Sequence, residues 1–195
     1  MYKVIGGVKS RTLRVLWMLE EIGVDYDHIA AAPRSDEVLE HNPSGKVPVL
    51  LVDGEALTDS MAILSFLGDR HGELTHPAGS IERARQDGLS FRILDEMDAA
   101  IWSAARHSFV LPEERRVPQV KTTLRWEFEK AADYMSALLG EKPSLMGDDM
   151  TIPDILLTHC LGWAINARFN FDGENLRAYL DRLRSRDAFQ RAVAR

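Results

Sequence analysis

Two short stretches of the chain combine residue types that could bind a small charged ligand. One runs from Asn42 to Leu50 and predicts a loop followed by a strand that begins with proline; the other places Asp59 and Ser60 where a helix begins. The first N–H groups of a helix and its dipole suit a carboxylate, Ser60 adds a hydroxyl donor, and Asp59 can accept from an ammonium group. The pair suits a zwitterionic ligand end, although Asp and Ser are also ordinary first-turn residues.

Near the start of the chain, Ser10 offers a hydroxyl group at a predicted helix start. It follows a predicted strand over residues 2–5 and stands where the first helix should begin. Its hydroxyl can donate a hydrogen bond to a ligand, or it can serve only as the N-cap of that helix. Lys9 and Arg11 lie beside it, so whether Ser10 or one of these cations would donate to a ligand stays open.

The elements that would position these residues form a strand-helix-strand unit followed by a hairpin and a helix. Strands are predicted over residues 2–5, 26–30, 47–52 and 55–57, and helices over 10–23 and from a Thr58 cap to Gly72, with a weak turn around 37–40. A helical crossover makes the first two strands parallel. Asp53-Gly54 favours an antiparallel hairpin between the last two. This order predicts a mixed four-stranded sheet of βαβ-ββα topology.

Beyond Gly72 the pattern becomes purely helical. Residues 72–80 are rich in Gly, His, Pro and Ser and are interpreted as a linker. Helices are predicted over residues 81–110, 120–139, 174–184 and 187–195, with another that starts at the capping box Thr151–Asp154. The predicted architecture is an α/β domain over residues 1–73 followed by an all-α domain over residues 81–195.

Bulk properties narrow the possible partners. A formal net charge of −6 disfavours nucleic acid, whose backbone is itself negative. The single cysteine, Cys160, excludes an intramolecular disulfide and favours a cytoplasmic location. No apolar run approaches membrane-spanning length, and residues 1–7 lack the apolar core of a signal peptide, so neither membrane insertion nor secretion is expected. Phosphate-binding glycine motifs and a zinc-binding H-E-x-x-H are absent, so neither nucleotide nor metal is expected.

The stretch Asn42-Pro43-Ser44-Gly45-Lys46-Val47-Pro48-Val49-Leu50, followed by Asp59-Ser60, resembles the glutathione site of the cytosolic glutathione transferase family. The run from Ser10 to Glu21 is similar to the start of its bacterial members, and the whole chain is consistent with the family. The resemblance implies a thioredoxin-like first domain, a helical second domain and a homodimer. It also implies glutathione as co-substrate, with no metal.

The resemblance assigns a role to each candidate residue. Glutathione-binding residues would be Lys46 and Arg34 for the glycyl carboxylate, Val47 with a cis Pro48 for the cysteinyl unit, and Asp59 with Ser60 for the γ-glutamyl end. Ser10 would be the catalytic donor that stabilises the thiolate, as in serine-type members. Trp102 and Arg106 would wall a pocket for a small hydrophobic electrophile, although core packing explains Trp102 equally well.

The expected activity is conjugation of such electrophiles, a detoxification reaction. The same thiolate could serve glutathione-dependent isomerisation, dehalogenation or peroxide reduction, which stay open as alternatives. A non-enzymatic binding or regulatory protein with this fold is the third alternative. No tyrosine or cysteine stands at the position of Ser10, so the resemblance implies neither a tyrosine-type nor a cysteine-type mechanism.

Overall fold

Short apolar runs separated by glycine and proline produce a chain of short strands and helices. The computed structural model describes residues 1–195. Its strands are β1 (Tyr2–Ile5), β2 (Tyr26–Ile29), β3 (Val49–Val52) and β4 (Glu55–Thr58). Its α-helices are α1 (Thr12–Ile22), α2 (Asp36–Leu39), α3 (Ser60–His71), α4 (Ile81–Arg92), α5 (Ala99–Ala105), α6 (Val120–Leu139), α7 (Ile152–Ala167), α8 (Glu174–Arg184) and α9 (Asp187–Val193). These elements belong to two compact units, residues 1–80 with 184–195 and residues 81–183.

The four strands of the first unit form one mixed sheet in the order β2-β1-β3-β4. β1 and β2 are parallel, whereas β1–β3 and β3–β4 are antiparallel. The predicted α/β fold class with a four-stranded sheet is therefore confirmed. The hairpin turns at Asp53 and Gly54, whose positive φ angles of 52° and 96° fit a two-residue primed turn.

The register brings four strand ends to one edge of the sheet. Ile5 of β1 pairs with Ile29 of β2 and with Val49 of β3, and Val49 pairs in turn with Thr58 of β4. The segments that follow β1 and β4 and the segment that precedes β3 therefore leave the sheet at the same edge. We call this edge, with Gly6, Val47–Pro48 and Asp59–Ser60, the strand-end site.

The end of the chain departs from the predicted domain boundary. Residues 184–195, expected within the helical domain, pack with residues 1–80 instead. Phe189 of α9 meets Trp17 of α1 edge-on, with ring centroids 5.0 Å apart. Arg186 pairs with Glu21 at 2.6 Å, and Arg191 and Arg195 both pair with Glu20, at 2.7 and 2.6 Å. Apolar and charged contacts to α1 thus hold the last helix on the first unit.

The second unit is entirely helical, but the predicted helix over 81–110 is not a continuous α-helix. π-helical turns at Ile93–Asp98 and Arg106–Val110 follow α4 and α5, and a short 3₁₀ turn covers Glu113–Arg115. A π turn adds a residue to the helical repeat and shifts the side chains beyond it, which a periodic apolar pattern does not reveal.

The most buried helix of the second unit is α7. Its first turn is held by Asp154, which is fully buried and accepts hydrogen bonds from the Leu145 and Thr151 N–H groups at 2.9 and 2.8 Å and from the Tyr179 hydroxyl at 2.7 Å. Burial raises the pKa of Asp154, and these donors oppose that rise. No helix of the structure combines the length and the apolar character needed to cross a membrane.

Candidate functional site

Gly6 allows three segments of the strand-end site to meet closely. A Cβ atom at this position would lie 2.2 Å from the Thr12 hydroxyl oxygen and 2.9 Å from Cβ of Val47, and Gly6 has a φ of 138°. Any side chain here would overlap the start of α1 and the loop before β3. Glycine is therefore required where β1, α1 and Val47 converge.

The loop before β3 is shaped by the side chain of Asn42. Its Oδ1 accepts from the backbone N–H and the hydroxyl of Ser44, at 3.1 and 2.8 Å, while its Nδ2 donates to the carbonyl of Lys46 at 2.9 Å. The Val47–Pro48 peptide bond is cis, as the family resemblance implied. Pro48 is buried and Val47 half-buried, with Val47 packed against the cluster around Ile5 and Val49.

Two exposed cations lie close together here, Lys46 on this loop and Arg34 on the segment between β2 and α2. Arg34, with a positive φ of 69°, donates its backbone N–H to the carbonyl of Gly45 at 2.9 Å. Its side chain passes so close to Gly45 that a Cβ there would lie 2.8 Å from Cγ of Arg34. Lys46 is the next residue and is exposed. The structure thus places Arg34, from an irregular segment, beside the residue that precedes Lys46.

The start of α3 differs from the prediction in one respect. Asp59, not Thr58, is the N-cap: its Oδ1 accepts from the N–H groups of Met61 and Ala62, at 2.8 and 3.3 Å. Asp59 adopts a positive φ of 71°, which turns the chain out of β4 and brings its short side chain over the first helical turn. Asp59 is exposed, whereas Ser60 is buried.

Arg14 is a residue of this region that sequence reasoning missed. It is fully buried, and its Nη1 donates to Oγ of Ser60 at 3.2 Å. A signal was present, because Arg14 lies three and four residues before the buried Trp17 and Met18 and so shares their face of α1. A charged residue on the buried face of an amphipathic helix indicates a specific partner.

Ser10 lies in the turn before α1 and does not cap the helix itself. Its Oγ accepts from the Thr12 N–H at 3.1 Å and lies 2.7 Å from the Gly7 carbonyl and 2.9 Å from the Thr12 hydroxyl. A hydroxyl has a single proton, so it can donate to only one acceptor at a time. Ser10 is half-buried, and its proton must turn away from these neighbours to reach a ligand.

The two predicted pocket residues lie in the second unit. Trp102 on α5 is half-buried, with its ring centroid 6.5 Å from that of Trp163 on α7. Arg106 is exposed, and its Nη2 donates to Oγ of Ser103 at 3.1 Å. Their role as pocket walls stays a prediction.

One group of side chains in the second unit could hold a metal ion. Donor atoms of Asp98, His159 and Cys160 lie within 4.8 Å of one another, with Asp98 and Cys160 buried and His159 half-buried. Asp98 ends the first π turn, and the other two are neighbours on α7. The candidate site of the first unit uses none of these residues.

The sheet order, the loop before β3 and the helical unit that follows define a class of protein: a thioredoxin-like domain joined to an all-helical region. Comparison with known proteins agrees. Residues 10–70 match the family model described as the glutathione S-transferase N-terminal domain. The chain is 29% identical over 186 residues to glutathione S-transferase GstA of Escherichia coli O157:H7, covering 90% of this chain and 89% of that one.

Two further similarities support the assignment. The maleylacetoacetate isomerase of Rhizobium meliloti strain 1021 is 45% identical over 71 residues, which are 36% of this chain and 33% of that one. The crystal structure of a glutathione transferase from Methylococcus capsulatus str. Bath has a TM-score of 0.86 and 27% identity, and covers 100% of this chain and 98% of that one. Residues 10–70 of the chain therefore form a glutathione S-transferase N-terminal domain, and the chain as a whole is similar in sequence and structure to glutathione transferases.

Proposed function

We propose that this chain is a glutathione transferase that binds glutathione at the strand-end site and activates its thiol for attack on small hydrophobic electrophiles. The observation that supports this most is the register, which pairs Val49 with Thr58 and so brings Val47–Pro48 and Asp59–Ser60 to the same edge of the sheet. Lys46 lies on the loop that leads into this edge, and Arg34 lies beside that loop, bonded through its backbone N–H to the Gly45 carbonyl.

The site offers a charged or polar partner for each end of glutathione. The γ-glutamyl end carries an ammonium and a carboxylate, which Asp59 and the Ser60 hydroxyl with the start of α3 can bind. The glycyl carboxylate at the other end suits the exposed cations Arg34 and Lys46. Between them, the main chain of Val47 can pair with the cysteinyl unit as an added strand would. The thiol would then point toward the segment that carries Ser10.

Ser10 is proposed as the donor that stabilises the thiolate. A free thiol has a pKa near 8.5, and lowering it by about two units requires ~2.7 kcal/mol of differential stabilisation. A hydroxyl donor and the start of α1 together can supply this. The thiol proton leaves to solvent, the sulfur anion forms a bond to an electrophilic carbon, and the leaving group departs with the electron pair of its bond.

The electrophile would be held by apolar residues of the helical unit, with Trp102 and Arg106 as proposed wall residues. A cytoplasmic location and a homodimer complete the proposal. The location rests on the single free cysteine and on the family resemblance, and the homodimer rests on that resemblance alone. Negative net charge keeps nucleic acid out of the proposed set of partners.

A second candidate is glutathione-dependent cis–trans isomerisation. It is favoured by the 45% identity to the maleylacetoacetate isomerase, which falls on a stretch of 71 residues. Here the thiolate would add to one carbon of a conjugated double bond, the resulting single bond would rotate, and elimination would return the thiolate. The same site residues serve both reactions, so substrate choice separates them.

The test is turnover of wild-type protein with glutathione against a panel of aryl halides, epoxides, conjugated enones and a cis-configured dicarboxylic enone. Conjugation of the first three classes supports the transferase, and isomerisation of the last without loss of glutathione supports the second candidate. The double variant Arg34→Ala/Lys46→Ala should raise KM for glutathione about tenfold or more. Retention of glutathione with no turnover of any compound would favour the non-enzymatic alternative.

A further inference from the structure

Arg14 places a positive charge inside the first unit, directly behind the proposed γ-glutamyl subsite. The residue has no exposed surface, and Ser60, which it contacts, is only 4% exposed. A guanidinium keeps its charge at physiological pH, and burying a charge is costly unless the group is hydrogen-bonded. An arginine is therefore an unusual residue to retain on the buried face of α1, where Trp17 and Met18 are its neighbours in the helical repeat.

The hydrogen bond from Arg14 Nη1 to Ser60 Oγ joins the starts of two helices, α1 and α3, at a distance of 3.2 Å. Arginine can only donate, so the Ser60 oxygen must be the acceptor in this bond. The hydroxyl proton of Ser60 is thereby left for another acceptor, and the bond from a cation makes that proton a stronger donor.

The other side of the α3 start is already arranged. Asp59 accepts from the N–H groups of Met61 and Ala62, which leaves the Ser60 end of this turn as the part that can donate outward. An anionic group bound there would meet an oriented hydroxyl whose far side is held by a positive charge.

We propose that Arg14 is a positioning residue for the α-carboxylate of the γ-glutamyl unit, acting through Ser60. It orients the Ser60 hydroxyl and adds a positive charge behind it, so that the site selects thiols that carry a γ-glutamyl carboxylate over thiols that lack one. This inference rests on the proposed function, because it assumes that glutathione occupies the strand-end site. Arg14 itself does not touch the ligand.

The experiment compares glutathione with cysteinylglycine, which has the same thiol and glycyl carboxylate but no γ-glutamyl unit. Binding of each is measured by calorimetry on the full chain for wild type, Arg14→Met, Arg14→Lys, Ser60→Ala and the double variant Arg14→Met/Ser60→Ala. Unfolding in urea is recorded for all five proteins, because Arg14 also packs between helices.

We expect Arg14→Met to weaken glutathione binding roughly ten- to hundredfold and to leave cysteinylglycine binding unchanged. Arg14→Lys should recover part of the loss, because it keeps the charge but not the planar donor. Adding Arg14→Met to Ser60→Ala should weaken glutathione binding less than Arg14→Met does in the wild-type background, because the part of the effect that passes through the hydrogen bond is already lost.

Equal losses for both thiols, or an undiminished effect of Arg14→Met in the Ser60→Ala background, would overturn the inference and make Arg14 a purely structural residue. If Arg14→Met does not fold, the Arg14→Lys and Ser60→Ala proteins carry the same comparison of the two thiols. Failure of wild type to bind glutathione at all would instead refute the proposed function, so the two failures are distinguishable.

Discussion

Asp59 has one observed role and one proposed role, and a pair of substitutions can separate them. It caps α3 by accepting from Met61 and Ala62, and it is proposed to accept from the ammonium group of glutathione. Asn is as good an N-cap as Asp and tolerates a positive φ, but it carries no charge. Ala removes the cap and also disfavours the φ of 71° that Asp59 adopts.

Asp59→Ala and Asp59→Asn should have measurably different effects on the free energy of unfolding. Loss of the cap costs about 1 kcal/mol, and an Ala with positive φ adds roughly another 1 kcal/mol, so Asp59→Ala should lower the free energy of unfolding by about 2 kcal/mol. Asp59→Asn should change it by less than ~0.5 kcal/mol. Replacing a charge-assisted bond by a neutral one should nevertheless weaken glutathione binding about tenfold in Asp59→Asn.

Urea unfolding and calorimetric titration with glutathione provide the two readouts. Asp53→Asn is the matched control, because Asp53 is also an exposed Asp with positive φ but turns the hairpin at the opposite edge of the sheet. It should bind glutathione as wild type does. Wild-type glutathione affinity in Asp59→Asn would exclude an ionic contact from Asp59 to the ligand, and a loss of stability as large as that of Asp59→Ala would exclude Asn as an equivalent cap.

Three further predictions concern the close approach at Gly6, the ion pairs of Glu20 and the proposed catalytic residue Ser10. Gly6→Ala should lower the free energy of unfolding by about 3 kcal/mol, because its Cβ would lie 2.2 Å from the Thr12 hydroxyl oxygen. Gly88 is a helical position with open space around it, so Gly88→Ala should raise the free energy of unfolding by about 0.5–1 kcal/mol. Urea unfolding of both variants checks this pair. Burial alone would raise the pKa of Glu20, but hydrogen bonds from Arg191, Arg195 and Tyr26 outweigh it and lower the pKa from 4.5 to about 2. The stabilisation from Glu20 is therefore complete above pH 4.5 and is lost as the pH falls toward 2. Glu20→Gln should lower the free energy of unfolding by about 1–2 kcal/mol at pH 7, a value reduced for solvent screening because the paired arginines are half-exposed. A difference in unfolding free energy between variant and wild type that does not shrink by about pH 3.5 would contradict this. Ser10→Ala should lower kcat for conjugation about ten- to a hundredfold with a smaller change in KM for glutathione, measured by steady-state kinetics, and an unchanged kcat would assign thiol activation to another donor.

Local signals in the chain predicted the first unit well. Asp53-Gly54 marked the hairpin, Gly23 and Gly72 marked helix ends, and both glycines have the positive φ expected of such ends. The crossover rule placed β1 and β2 parallel, as they are. These features depend on a few neighbouring residues, which is why the sequence alone predicts the fold class.

Features that depend on distant contacts were not accessible. The packing of α9 on the first unit depends on Trp17, Glu20 and Glu21, which are more than 160 positions away from their partners. The contact between Arg14 and Ser60 joins two helices across the sheet end. The N-cap of α3 is Asp59 and not the predicted Thr58, because strand pairing extends β4 through Thr58. A single sequence carries no direct record of such pairings.

Thiol activation at the strand-end site can be measured directly as the pKa of the glutathione thiol when it is bound to the wild-type protein. It can be measured from the ultraviolet absorbance of the thiolate as the pH of a saturated complex is raised, with free glutathione as the reference. We expect a midpoint at least about one unit below the value near 8.5 of a free thiol. A midpoint equal to that of free glutathione, or no saturable binding, would contradict it.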